Sequence, residues 1–162
     1  MQNAHEIYQE NLDLVSRAFW HRRFDLLPKY LGIPNQVITK DEEIVISSAD
    51  ELICLMQDFR EKLITLGGYA YRRECQEAVF ANERKNVILG RHQTFLLNAD
   101  EAVIGTYENR MTLMRIEDRW LGVRIDSSAE NKTFNVVSPD FAEAQRREFE
   151  QLNQRPQTPT TE

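Results

Sequence analysis

No stretch of this 162-residue sequence approaches the ~18 to 20 consecutive apolar residues that a membrane-spanning helix needs, so no helical span and no membrane partner is expected. The opening segment MQNAHEIYQENLDL has neither a basic start nor an uninterrupted apolar run, which gives a cytoplasmic expectation. Cysteine is scarce. Cys54 and Cys75 fit no zinc or redox spacing and are expected as buried thiols. Histidine is scarce too: His5 and His21 flank the first helical pattern without a second ligand at metal spacing, so both are expected at the surface, with no metal site and no cofactor. Basic residues are outnumbered, 20 against 26 acidic, and the net charge of -6 argues against a nucleic-acid partner. The pair Arg22-Arg23 is too short to reverse that. There is no internal repeat.

What is present reads as one globular domain. Hydrophobic residues make up 41% and charged residues 28%, and a chain of this length buries roughly two thirds of its unfolded surface without a metal or disulfide. Asn3 and Glu6 form a capping pair ahead of Tyr8, Leu12, Val15 and Phe19, whose spacings of four, three and four predict a helix over 4–21. Asp25 caps a short helix to Tyr30 that Gly32 and Pro34 end. The β-branched triplets 37–39 and 44–46 flank a charged turn and predict a hairpin. Ser48 and Glu51 open a helix with Leu52, Leu55, Met56, Phe59, Leu63 and Leu66 on one face, stopped by Gly67-Gly68.

Downstream the period changes to two. A strand over 69–80 places Tyr71, Arg73, Cys75, Glu77 and Val79 on one side, with Arg73 expected at an exposed or interface position and, as the alternative, Tyr71, Arg73 and Cys75 reaching the pocket. A meander follows, with runs at 87–97, 102–116 and 120–125 joined by turns at 98–101 and 117–119; a bulge is expected in the second turn. Residues 133–137 read as a short extended piece. Ser138-Pro139 starts a final helix to about residue 154, with Phe141, Gln145, Phe149 and Leu152 on one face. The organisation is thus a single domain over 1–138, a docking helix over 139–154 and a disordered tail over 155–162.

Runs of helices followed by long strands give an α+β class with helices on one face of a curved, mostly antiparallel sheet. This order of elements, the capped helix after a hairpin, the run Gly90-Arg91-His92-Gln93-Thr94 and the closing Asp118-Arg119-Trp120 resemble the nuclear transport factor 2-like, or SnoaL-like, superfamily over residues 4–127. The resemblance implies a cone-shaped, cystatin-like barrel wrapped around the N-terminal helices, a pocket at its open end, and commonly a dimer through the outer sheet face. Its members include ketosteroid isomerases, polyketide cyclases, dehydratases, epoxide hydrolases and non-catalytic subunits, so fold does not select function. Neither the Tyr plus paired Asp set of the isomerases nor the Asp-Arg-Asp set of the epoxide hydrolases carries over.

Strand parity nominates the pocket. With the hairpin tip at Ala99-Asp100, Leu97 pairs with Ala102 and His92 falls opposite Tyr107, sharing a face with Ile88, Thr94, Asn109, Met111 and Leu113. His92 is a candidate acid or base and Tyr107 a candidate stabiliser of a substrate oxygen, against the alternative of a hydrogen-bonded core pair. Trp20 either packs on the sheet or closes the mouth. The expected function is binding of a small, mostly apolar ligand with one polar group. A lyase or isomerase using His92 and Tyr107, and a non-catalytic dimerising domain, are the alternatives. The opposite face, with Phe95, Met114 and Trp120, is the expected homodimer surface.

Overall fold

The structure, a computed structural model, describes residues 2–99, 101–134 and 136–154; the turn residue Asp100 and the tail over 155–162 lie outside them. Helix α1 spans Ala4–Trp20 behind a complete capping box, in which the Asn3 side chain accepts from the Glu6 N–H at 2.8 Å. Its stripe of Tyr8, Leu12, Val15 and Phe19 is fully buried. The short helix expected to Tyr30 is a 3-10 helix, Phe24–Lys29, without a side-chain cap, and Gly32 and Pro34 stand inside the next strand instead of ending a helix. Strands β1, Leu31–Ile38, and β2, Glu43–Ile46, pair with Val37 opposite Ile44.

Helix α2, Ala49–Thr65, starts where the Ser48 hydroxyl accepts from the Glu51 N–H at 3.1 Å. It ends in a Schellman motif: the Gly68 N–H donates to Leu63 O at 3.0 Å and the Gly67 N–H to Ile64 O at 2.9 Å, with Gly67 at φ 98°. Only glycine adopts that angle without strain, so the pair stops the helix on both conformational and hydrogen-bonding grounds.

Strands β3, Ala70–Phe80, β4, Val87–Asn98, β5, Glu101–Ala102, β6, Tyr107–Ile116, and β7, Arg119–Ser127, complete an open sheet of order β2-β1-β7-β6-β4-β3. Pairing is antiparallel except for β1 against β7. The β6–β7 turn is a two-residue hairpin with Glu117 and Asp118 at φ 50° and 64°, the conformation that matches strand twist. The expected bulge is therefore not there; the pairing shifts instead between Thr112 and Leu113.

Two other irregularities correct the sequence reading. Leu97 does pair with Ala102, but residues 103–106 leave the ladder. The main β4–β6 register consequently puts His92 opposite Asn109 and Thr94 opposite Tyr107, two residues from expectation. Because side chains alternate with period two, a slip of two leaves every residue on its face. In β3 an extra residue, Gln76, sits between the Cys75 and Glu77 pairs, so Glu77 and Val79 turn outward while Ala78 and Phe80 face the core.

The core has two parts. One centres on Phe19, Phe59 and Leu63 between the helices and the sheet; the other gathers Tyr8, Leu12, Ile88, Met111 and Leu113 beneath α1. Each such side chain contributes about 1.5 to 3 kcal/mol on burial. Trp120 joins the second part against Phe80, ring centroids 6.3 Å apart, instead of lying on the outer face. Cys54 is exposed on α2 and Cys75 half-buried; both are free thiols, and neither is the fully buried core residue expected. His5 and His21 are exposed.

After β7 the chain forms a short helix α3, Asn131–Phe134, where an extended piece was expected. The Asp41 carboxylate accepts from the Asn131 and Lys132 N–H groups at 2.6 and 3.1 Å, which favours a helical turn there. Helix α4, Pro139–Gln154, lies along the β2 edge: the Gln145 amide accepts from the Val45 N–H at 2.9 Å and donates to Val45 O at 2.8 Å, as a neighbouring strand would. Ala142 is buried, whereas Phe149 and Leu152 are exposed. No described helix is long and apolar enough to cross a membrane.

Candidate functional site

The inward residues of β4 and β6 meet α1 in a chain of buried polar groups. Gly90 has no side chain, and a Cβ there would overlap the Tyr8 ring. The phenol thus reaches across β4 to His92, with Tyr8 Oη 2.6 Å from His92 Nδ1 and both residues fully buried. Burial pushes the Tyr8 phenol well above its usual range and holds the imidazole far below neutrality, at about 2, with the Arg73 charge acting in the same direction on the imidazole. Both groups are therefore neutral at physiological pH.

A protonated phenol needs an acceptor, and Nδ1 is at hand. Tyr8 donating to Nδ1 leaves the ring proton on Nε2, which faces the Asn109 side chain at 3.4 Å. Asn109 also lies 3.0 Å from Thr94 Oγ1, while its Oδ1 has no partner. Turning that amide over gives the His92 Nε2–H and the Thr94 hydroxyl an acceptor in the same atom, and moves the Asn109 NH2 to the position that has no partner. Beyond Thr94, the phenols of Tyr107 and Tyr71 adjoin it and each other, and burial raises both above the usual phenol range. Tyr107 also packs on Phe134 of α3, ring centroids 5.1 Å apart.

The cone interior lies to one side of this chain. Between α2 and the sheet is a cavity of about 90 Å³. Leu52, Leu55, Met56 and Phe59 wall it from α2, and Leu31, Val37, Met111 and Ile125 wall it from the sheet. Val136, just after α3, covers one side. Its polar lining is Asn35, Tyr71, Arg73 and Arg124. Asn35 Nδ2 is committed to Gly32 O and Gly122 O at 3.2 and 2.7 Å, and Arg124 to Asp126 at 3.0 Å.

Of the residues nominated from sequence, Met111 lines this cavity. His92, Thr94, Tyr107 and Asn109 are brought together, but as a packed polar network and not along the cavity wall; Ile88 and Leu113 belong to the core under α1. His92 and Tyr107 are separated in that network by Thr94 and Asn109. Trp20 borders an outer groove, where it stacks on Tyr71 at 5.9 Å, lies beneath Arg60 and donates from Nε1 to Tyr69 O at 3.1 Å.

Two contributors were missed. Tyr8 stands in the apolar stripe of α1, and its hydroxyl alone signalled that a core partner was needed. Arg73, expected to be exposed, is 7% exposed. Its inward position follows from alternation with Tyr71 and Cys75, since the strand bulge comes only after Cys75.

No family model matches the sequence, and no curated protein does. Solved structures do match in three dimensions. An NTF2-like protein of unknown function from Shewanella oneidensis superposes with a TM-score of 0.56 at 14% identity, covering 76% of this chain and 98% of that one. An NTF2-like protein with a cystatin-like fold from Novosphingobium aromaticivorans gives 0.56 at 14% identity over 86% of each chain. LinA gives 0.56 at 7% identity, covering 77% of this chain and 84% of that one. The chain has the nuclear transport factor 2-like, cystatin-like fold, with its sheet curved but not closed.

Proposed function

We propose that this chain is a small-molecule-binding protein of the SnoaL-like type, with its ligand held inside the cone between α2 and the sheet. The observation that carries this reading is the cavity of about 90 Å³ with an apolar wall and few polar groups. Well-packed interiors leave few voids larger than a water, so space retained at the centre of a cone is a feature to be explained. The volume suits a small ligand, being below the ~150 Å³ of an engineered cavity that admits benzene.

Proton transfer by His92 and Tyr107 is the weaker reading. A base must reach the proton it removes, directly or through one water, and should titrate near the working pH. His92 is sealed behind Tyr8 and held far below neutrality, which supports binding over catalysis.

The test uses the methionine methyls as reporters. Met56 and Met111 line the cavity, while Met114 is 40% exposed on the outer face. With 13C-methyl methionine, titration with butanone, n-butanol, butyramide and butyrate should shift Met56 and Met111 and leave Met114 in place. If none of the four moves the two cavity methyls, the reading fails.

The outer face supports assembly with a second copy. Val79, Leu89 and Met114 are 51%, 48% and 40% exposed there, beside Glu77, Arg91, Glu108 and Arg110. A row carrying both charge signs is complementary to itself across a two-fold axis, and the exposed apolar side chains supply the area such an interface buries.

A further inference from the structure

Arg73 is a buried cation without an acid. Its Nε donates to Ser16 Oγ at 2.8 Å and its Nη2 to Leu12 O at 3.1 Å, both on α1. A guanidinium carries five N–H donors in a planar fork, so these neutral acceptors satisfy only part of it. Among the described residues it forms no ion pair, and these two are the hydrogen bonds of its guanidinium. Asp13, which borders the same outer groove, is engaged by Gln9 at 2.9 Å and forms no ion pair with Arg73.

Removing an ion from water is costly unless an opposite charge or a full set of hydrogen bonds compensates it. Two neutral oxygens on α1 anchor the side chain without balancing its charge. The aromatic face of Tyr71, 5.9 Å from the guanidinium carbon, adds only a modest attraction. The protein itself thus supplies no counter-charge, and Arg73 lies between the cavity and the outer groove, lining both.

Resting on the binding reading above, we propose that the cavity takes a small organic monoanion, a short-chain carboxylate, with its head on Arg73 and Tyr71 and its apolar tail toward Leu52, Met56 and Met111. Elimination among the polar lining leads there. Asn35 already donates to two backbone carbonyls and Arg124 already has Asp126, which leaves the Arg73 guanidinium, and beside it the Tyr71 hydroxyl at the end of the Thr94–Tyr107 network. A planar carboxylate matches the fork of an arginine, and the neutral phenol adds a donor. One cation balances one negative charge; a phosphate dianion would need more donors than these walls offer. The limited volume restricts the tail to a few carbons.

The decisive comparison is butyrate against butyramide, equal in size and shape but different in charge, followed through the Met56 and Met111 methyls of the whole protein. Butyrate should bind at least tenfold more tightly than butyramide or n-butanol, and Arg73→Met should abolish that preference while Arg73→Lys keeps part of it. Equal affinity for acid and amide overturns the anion assignment and leaves the binding reading standing. Failure of all three probes, and of butanone, to shift the cavity methyls overturns both. A butyrate response confined to residues of the outer groove beside Trp20 also overturns the assignment. If Arg73→Met does not fold, the acid-to-amide ratio in the unaltered protein decides the matter alone.

Discussion

Tyr8 and His92 stand 84 residues apart in sequence and 2.6 Å apart in the fold, a phenol and an imidazole sealed together between α1 and β4. This contact pins the N-terminal helix to the centre of the sheet. It also fixes the charge state of the imidazole, because a protonated ring at this position would be desolvated and exposed to the field of Arg73.

The first prediction is acid sensitivity. The unfolded chain takes up a proton on His92 near pH 6.5, whereas the folded protein resists it down to about 2. Between those values the unfolded state binds more protons, so stability falls as pH falls, by at most about 1.4 kcal/mol per unit for this one group. Urea midpoints measured from pH 7 to pH 4 should decline, and His92→Gln should flatten the decline. A slope unchanged by the substitution would show that the imidazole protonates in place.

The second concerns the tautomer. With Tyr8 donating to Nδ1, His92 should be neutral with its proton on Nε2. Long-range 15N correlation spectra would show this directly, and Tyr8→Phe should broaden or reverse the assignment. The same substitution leaves Nδ1 buried without a partner and should cost about 1 to 3 kcal/mol.

The third is steric. Gly90 faces the Tyr8 ring, so Gly90→Ala pushes a methyl into an occupied space and should destabilise by about 1 to 3 kcal/mol. Coupling to Tyr8 distinguishes this from a simple strand effect: in a Tyr8→Ala background the penalty should largely vanish. Additive losses in the double-mutant cycle would contradict it.

The fourth tests the final helix. Gln145 pairs with both backbone groups of Val45, so Gln145→Ala should speed exchange of the Val45 amide and lower stability by about 1 kcal/mol. Deleting residues 139–162 should have a larger effect, since it also removes Ala142 from the core and uncovers the apolar surface it packs against. Unaltered Val45 exchange in the single variant would mean that the helix does not rest on this edge in solution.

The fifth concerns assembly. Light scattering at micromolar concentration should give about 38 kDa, twice the chain mass of 19.0 kDa. Leu89→Arg, placing a charge among the exposed Val79 and Met114 side chains, should return it to the monomer. A mass near 19.0 kDa throughout a dilution series would rule the dimer out.

The local elements were legible because their signals are local. Asn3 with Glu6 and Ser48 with Glu51 cap the two long helices, Gly67-Gly68 ends the second, and period-two alternation places Ile88, His92, Thr94, Asn109, Met111 and Leu113 on the covered side of the sheet. That sidedness survived a two-residue error in register because two is the period of a strand. The pairing itself was not legible: Gly105 is the one residue in 103–106 that signals a break in a strand, and it does not give the new register, while the bulge at Gln76 has no distinctive residue type. Only the tertiary structure decided which inward face meets which helix. It set α1 over both His92 and Arg73, so that Tyr8 fills the space above Gly90 and the guanidinium is held on Ser16 and Leu12, and it left the cavity between α2 and the sheet adjoining the guanidinium instead of the imidazole. Sequence periodicity reports that a side chain points inward; what it meets there depends on how distant elements cross, and that is fixed by packing volumes and not by the spacing along either element.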